Sequence, residues 1–355
     1  MVLWVLLFAG LLFGAYLLDQ IDQVDQFTSA PLEPKTSASY ANYQPEKKAL
    51  DQFVGTYFLS QGLMATNLQF SSQNTLAGGE DMLSESVGLL LLYYIDTDQE
   101  VAFINQLQLA EQLLQKENGL FQWRTRTGQR TAVNASVDDL RIAKALVLGS
   151  QKWHREDLKE KSVTLSKALL KYCIKDNRLL SFDSPTSGEA PFFYYDFRAM
   201  LLLADNEPKW QTIAQESFST IRLAHLPLSP FYSSIDQSSG KYPTVENTLI
   251  ILHMAEVGQL NQNDLRWFKL QMNRGSIFAS YNLSGKPTST IESPAIYGLL
   301  AQLGKFAGDI ELYNLAGKKL KSMQHLKNDA YYGGYINLSA GEAYSFDHLM
   351  ALLGY

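Results

Sequence analysis

Carboxylic acids recur at one kind of place in this chain. Glu85, Asp138 and Asp139, Asp196, Glu246, Glu292 and Asp347 each sit where an apolar helical pattern begins. A pair of such groups can protonate a leaving oxygen and activate a water, which is the chemistry of glycoside hydrolysis. Taken singly, each has an ordinary use, because a carboxylate in a first turn answers the helix dipole for about 0.3–1 kcal/mol. Ser136-Val137-Asp138-Asp139 reads as a capping box, and Ser293-Pro294 as a cap with proline at the first helical position. An acid at every alternate helix start asks for more than capping. It predicts a carboxylate-lined cleft at one end of the fold.

The elements that must hold these acids are helices. Apolar residues recur at three- to four-residue spacing, as in Leu83, Val87, Leu90, Leu91 and Tyr94. Breaks at Gly, Pro and Asn predict roughly twelve helices: 47–60, 82–95, 98–117, 136–150, 156–173, 194–205, 207–220, 244–258, 261–272, 293–306, 308–321 and 345–353. Short connections alternate with long ones such as 118–135, 221–243 and 273–292, rich in Tyr, Phe, Trp, Ser and Gly, and each long one leads into an even-numbered helix. Six helical hairpins of about 50 residues predict an all-α (α/α)6 toroid in one domain, residues 46–355. The even helices then run the same way, so the aromatic loops and the acids gather at one end and suit a sugar polymer.

At these residues the chain resembles glycoside hydrolase family 8, whose members are inverting, endo-acting enzymes on an (α/α)6 barrel. Leu83-Ser84-Glu85-Ser86-Val87-Gly88-Leu89-Leu90-Leu91 is similar to the family's S-E-G-Q-x-Y-G-M-L stretch, so the resemblance implies Glu85 as general acid. Leu120-Phe121-Gln122-Trp123-Arg124 is similar to the L-x-x-W-R segment that carries a sugar-stacking tryptophan. Asn134-Ala135-Ser136-Val137-Asp138-Asp139-Leu140-Arg141-Ile142-Ala143 resembles S-A-T-D-G-D-L-x-I-A. Pro191-Phe192-Phe193-Tyr194-Tyr195-Asp196-Phe197-Arg198 resembles P-x-Y-F-x-P-x-x-Y-R, and Ala343-Tyr344-Ser345-Phe346-Asp347-His348-Leu349 is similar to a late signature of divergent members from Gram-positive exopolysaccharide operons.

The resemblance implies Asp138 or Asp139 as the sugar-gripping acid, because Val137 stands at the family's first Asp in an ungapped match. Trp123, Arg124, Tyr194 and Tyr195 are the implied substrate contacts, either tyrosine being equally a core residue. The family's base is an Asp opening the eighth helix. The matching stretch here is Val245-Glu246-Asn247-Thr248-Leu249, so Glu246 is the leading base and Asp236, in the preceding polar turn, the alternative. Thr244 is the expected cap in front of Glu246, and the helix start is expected to keep this carboxylate ionised.

Composition narrows the alternatives. With a net charge of -6 and no Lys/Arg cluster, nucleic acid is excluded as a partner. His154, His225, His253, His325 and His348 show no HExxH or other ligand spacing, so neither metal nor cofactor is expected. Cys173 lies in an apolar stretch and reads as an inert thiol. Val2 to Leu18 is an almost unbroken apolar run without a cleavage site after it. It predicts a signal-anchor over 1–18, a flexible linker over 19–45 and a catalytic domain outside the cell. Expected partners are a polysaccharide, the membrane and an exopolysaccharide synthase complex, for a monomeric protein. A non-catalytic, polysaccharide-binding toroid and a lyase are the competing classes, the latter needing basic residues that the acidic cleft lacks.

Overall fold

The structure, a computed structural model, describes residues 31–60, 62–68, 79, 81–126, 129–226, 229–233, 240–338 and 340–355. The apolar run at 2–18, the first part of the expected linker and Asp236 lie outside the described residues. Among the described residues no helix is long and apolar enough to cross a membrane.

Twelve α-helices are found among the described residues: α1 (Gln44–Phe53), α2 (Ser84–Asp96), α3 (Glu100–Leu113), α4 (Ser136–Trp153), α5 (Glu156–Tyr172), α6 (Phe197–Ala204), α7 (Lys209–Leu223), α8 (Thr244–Ala255), α9 (Gln262–Asn273), α10 (Pro294–Ala307), α11 (Ile310–Met323) and α12 (Ser345–Gly354). The even helices close a ring, α2 on α4, α4 on α6, α6 on α8, α8 on α10, α10 on α12 and α12 back on α2. Outer helices lie behind them, α3 on α2, α5 on α4, α7 on α6, α11 on α10 and α1 on α12. This is the expected toroid of six hairpins.

The ring closes because its helices are apolar nearly all round, as a helix with protein on every side must be. On α10, Ala295, Ile296, Leu299, Leu300 and Leu303 are fully buried. Gly298 lets α10 touch α12 backbone to backbone, since a Cβ there would stand 2.4 Å from the Met350 carbonyl. Ser293 caps α10 as expected, accepting from the Ala295 amide at 3.2 Å with Pro294 behind it.

Long connections cap one end and pair in short antiparallel strands. β1 (Met82–Leu83) joins β2 (Arg124–Arg126) with Leu83 opposite Arg124, and β2 joins β3 (Gln129–Arg130). β4 (Ile174–Lys175) pairs β5 (Arg178–Leu179), and β6 (Tyr242–Pro243) pairs β7 (Ser280–Tyr281). Much of the aromatic content of these loops is spent on packing the loops themselves. Phe231 stacks on Tyr242 at 5.1 Å, and Tyr281 meets the edge of Trp267 at 5.0 Å.

The other end is short-looped and crossed by residues 31–43. This stretch, expected to be part of a free linker, is docked. Leu32 donates its amide to the Glu256 carbonyl at 2.8 Å and Lys35 to the Lys305 carbonyl at 3.0 Å, the Glu33 carboxylate meets Arg198 at 2.5 Å, and Tyr40 packs on Tyr313 at 4.6 Å. The strap thus ties the C-terminal ends of α8 and α10 to α6.

Candidate active site

The ring of acids at even helix starts is real, but half of it is structural. Asp347 accepts the Ser293 hydroxyl at 2.5 Å and the Ala295 amide at 3.0 Å, stapling α12 to α10. Glu292 accepts from Tyr297 and Ser276 and pairs with Lys319 at 3.0 Å. Asp196 caps α6 through the Ala199 amide at 2.9 Å and pairs with Lys144 at 2.5 Å. Glu85, Asp138 and Glu246 remain.

Glu85 and Glu246 lie in the first turns of α2 and α8, both only partly buried. Asp138, in the first turn of α4, is buried and accepts the Ser84 hydroxyl at 2.8 Å and the Arg141 guanidinium at 3.0 Å. Burial is the main cause lifting the Glu85 carboxyl to about 7; the Asp138 charge adds to it and Arg141 offsets part. Burial also raises Glu246, which corrects the expectation that its helix start holds it low. The Tyr194 hydroxyl is pushed to about 12, by burial first and then by Asp138 and Glu85, with a smaller contribution from Glu246. Arg141 offsets part of this rise, so Tyr194 feels the charge of all three carboxylates and of that arginine.

Trp123 is fixed beside Glu85 by β1 and β2, its carbonyl accepting the Ser84 amide at 3.1 Å. The Arg124 guanidinium lies 4.6 Å from the Trp123 ring centroid in a cation–π contact.

Four further expectations are corrected. Asp139 is fully buried, with one oxygen on the Phe121 amide at 2.9 Å and the other on the Asn134 side chain at 2.6 Å, so it braces a loop and cannot reach a sugar. The Ser136–Asp139 capping box is consequently not formed, and Ser136 donates to the Leu180 carbonyl at 2.6 Å instead. Tyr195 is in the core at 1% exposure, where a subsite wall would have to face solvent. Thr244 does not cap α8; its hydroxyl donates to the Phe278 carbonyl at 2.6 Å.

One site residue was not singled out from the sequence. Arg141 neutralises Asp138, and its stem runs over Gly88, where a Cβ would stand 3.1 Å from the arginine chain. The i,i+3 pair of Asp138 and Arg141 in a helix start, facing a glycine inside the apolar helix α2, is a signal the sequence does carry.

Asp196, His253 and Glu256 are the only group of metal-ligating type among the described residues, their ligand atoms lying within 4.8 Å of one another. Lys144 stands in this group, 2.5 Å from Asp196 and 3.3 Å from Glu256, so a cation is already built in.

No family model matches the sequence. Solved structures do resemble it. An α-amylase from Clostridium perfringens superposes with a TM-score of 0.80 at 29% identity, covering 87% of this chain and 96% of its own. Endoglucanase Cel10, a family 8 glycosyl hydrolase from Klebsiella pneumoniae, does so at 0.57 with 18% identity, covering 77% and 99%. YdaJ of Bacillus subtilis (strain 168), named as a candidate lipoprotein, is 23% identical over 346 residues, spanning 94% of this chain and 89% of its own. The chain has the fold of the family 8 glycoside hydrolases, in a divergent sequence.

Proposed function

We propose that this protein is an inverting, endo-acting glycoside hydrolase that cleaves a β-linked polysaccharide outside the cell. Glu85 donates its proton to the glycosidic oxygen as the bond to the anomeric carbon breaks. Glu246 takes a proton from a water that attacks that carbon from the opposite face. Asp138, held by Arg141 and Ser84, binds the sugar at the cleavage point, and Trp123 with Arg124 flanks it. The observation that carries this reading is the Glu85 carboxyl at about 7, which leaves a proton to give near neutrality. The resemblance to an enzyme named as an endoglucanase supports it.

A second reading, an α-linked glucan as substrate, is favoured by the likeness to the clostridial α-amylase. One experiment separates the readings. Reducing ends are measured on β-glucans, xylan, chitosan, amylose and native biofilm polysaccharide, and the newborn anomer is followed by proton NMR. Cleavage of a β-linked polymer with α-anomer first supports the first reading, and cleavage of amylose with β-anomer first the second. Retention on either polymer overturns the mechanism, and binding without cleavage assigns the chain to the non-catalytic class.

We also propose that residues 1–18 hold the protein on the membrane as a monomer with its domain outside, by virtue of their apolar length. Protease shaving of intact cells tests this, and survival of the domain until lysis overturns it.

A further inference from the structure

The largest of the described cavities borders the carboxylate site at Arg141, which pairs with Asp138, but Glu85, Asp138 and Glu246 are not on its wall. It occupies about 880 Å³ along the barrel axis, between the C-terminal halves of the inner helices and the strap at 33–44. Its apolar wall includes Leu92, Leu148, Leu252, Leu299, Phe306 and Leu353. A volume of several hundred Å³ with an apolar wall and a few polar groups is the usual form of a small-molecule site.

The charges on its wall do not cancel. Every carboxylate on it meets a cation: Asp96 meets Lys47 at 2.8 Å, Asp196 and Glu256 share Lys144 at 2.5 and 3.3 Å, and Glu33 holds Arg198 at 2.5 Å. Two ammonium groups, Lys305 inside the cavity and Lys35 on the exposed strap, have no carboxylate at ion-pair distance among the described residues, Asp96 acting on Lys305 only from farther off. Lys305 reaches only the Leu353 carbonyl at 3.4 Å and the Tyr313 ring at 5.7 Å. Lys35 reaches only the Ala307 carbonyl at 3.3 Å. Lys305 is largely withdrawn from water, which is costly for an ammonium unless an anion compensates it, whereas Lys35 is exposed.

We propose that this cavity binds a free anionic amphiphile, a single carboxylate or phosphate head on an unbranched apolar body. The head lies on Lys305 and Lys35, and the body lies among the leucines above. Burial draws the Lys305 ammonium down to about 8, offset in part by Asp96 and reinforced by Lys47, with Tyr313 and Lys35 the other titratable neighbours. Binding should therefore weaken as pH rises through about 8. The strap forms one wall of the site, so its occupant is also held by the segment that leads to the N-terminus.

The test is photolabelling of the full chain, in lipid nanodiscs, with a decanoate carrying a diazirine on its chain, followed by peptide mapping. Label is expected on Leu92, Leu252 and Leu299 and their neighbours. It should be displaced by excess decanoate and at least about tenfold less well by neutral decanamide. Lys305→Met should abolish the preference for the acid, and Leu92→Trp, which puts an indole into the apolar part of the cavity but keeps the lysine, should reduce cavity labelling. A melting curve shows that each variant is folded. Label confined to the cleft around Trp123 or to residues 1–30, equal displacement by amide and acid, or no saturable label overturns the proposal.

Discussion

The carboxylate of Asp138 raises the pKa of Glu85, and the two acids meet because Ser84, the residue before Glu85, donates its hydroxyl to Asp138 at 2.8 Å. The effect has a direction that kinetics can read. A general acid must be protonated, so the basic limb of the kcat profile should fall near pH 7, where Glu85 titrates. Asp138→Asn removes a nearby negative charge, so Glu85 should ionise more readily and the basic limb should move to lower pH. Activity will also drop through lost sugar contact, but that lowers the profile without shifting it. A basic limb that stays in place shows that the two carboxylates are not coupled.

Glu85 should also trade stability for function. Its folded pKa, about 7, exceeds the unfolded value of 4.5, so the folded state binds the extra proton. The associated destabilisation is absent below about pH 4.5, grows as pH rises toward 7 and is constant beyond. Glu85→Gln cannot ionise and should stabilise the protein at pH 8 by on the order of 1–3 kcal/mol, with no gain at pH 4. The same variant should lose about 10²–10⁴ in turnover. Thermal melts at the two pH values, beside reducing-end assays, check both; retention of more than about a tenth of the activity removes Glu85 from the acid role.

Asn247, next to Glu246, is a clamp. Its side chain accepts the Tyr232 amide at 3.1 Å and donates to the Pro243 carbonyl at 2.7 Å, pinching together the two ends of the loop that enters α8. Asn247→Ala leaves the buried Tyr232 amide unpaired, costing about 1–3 kcal/mol. Because the clamp sets the chain leading to Glu246, kcat should fall more than tenfold while KM changes little. Equal loss in the two would mean that the clamp shapes the subsites and not the base.

The helices were legible because their two signals, apolar periodicity and Gly/Pro/Asn breaks, are local. The expected segment 156–173 is α5 at Glu156–Tyr172, and 345–353 is α12 at Ser345–Gly354. Closure of the ring depends on contacts such as Gly298 against Met350, which no local pattern announces. The same limit applies to the site. Asp138 and Asp139 are adjacent in sequence and one helical step apart in space, which turns one toward Ser84 and Arg141 and the other toward Phe121 and Asn134. The strap was read as linker because its composition is polar. Its docking is carried by a few spaced side chains, Leu32, Glu33, Tyr40 and Tyr43, too sparse to form a period.

That docking separates two truncations. Removing residues 1–30 leaves every described contact of the strap in place, so the melting temperature should hold. Removing residues 1–43 also deletes the Leu32 and Lys35 backbone bonds, the Glu33–Arg198 pair and the Tyr40 and Tyr43 packing. A buried apolar side chain is worth roughly 1.5–3 kcal/mol, so a loss of several kcal/mol is expected. Differential scanning fluorimetry on the two proteins decides it. Identical melting curves would return residues 31–43 to the status of a linker.

The last expectation concerns the base. Glu246 is fixed by α8, and groups on packed elements keep better geometry than groups on loops. Asp236 lies in the polar stretch of sequence between α7 and α8. If Glu246 activates the water, Glu246→Ala should lower kcat by about 10²–10⁴ and leave proton donation by Glu85 intact. Azide needs no base, so it should restore turnover in this variant by attacking the anomeric carbon in place of water. The product then carries azide with the anomeric configuration opposite to that of the substrate, which NMR reads directly. Asp236→Asn should cost at most about a few-fold and show no azide response. Rescue of the Asp236 variant instead, with Glu246→Ala near wild type, would put the base on the loop. A glycosyl azide of retained configuration from either variant would end the inverting mechanism altogether.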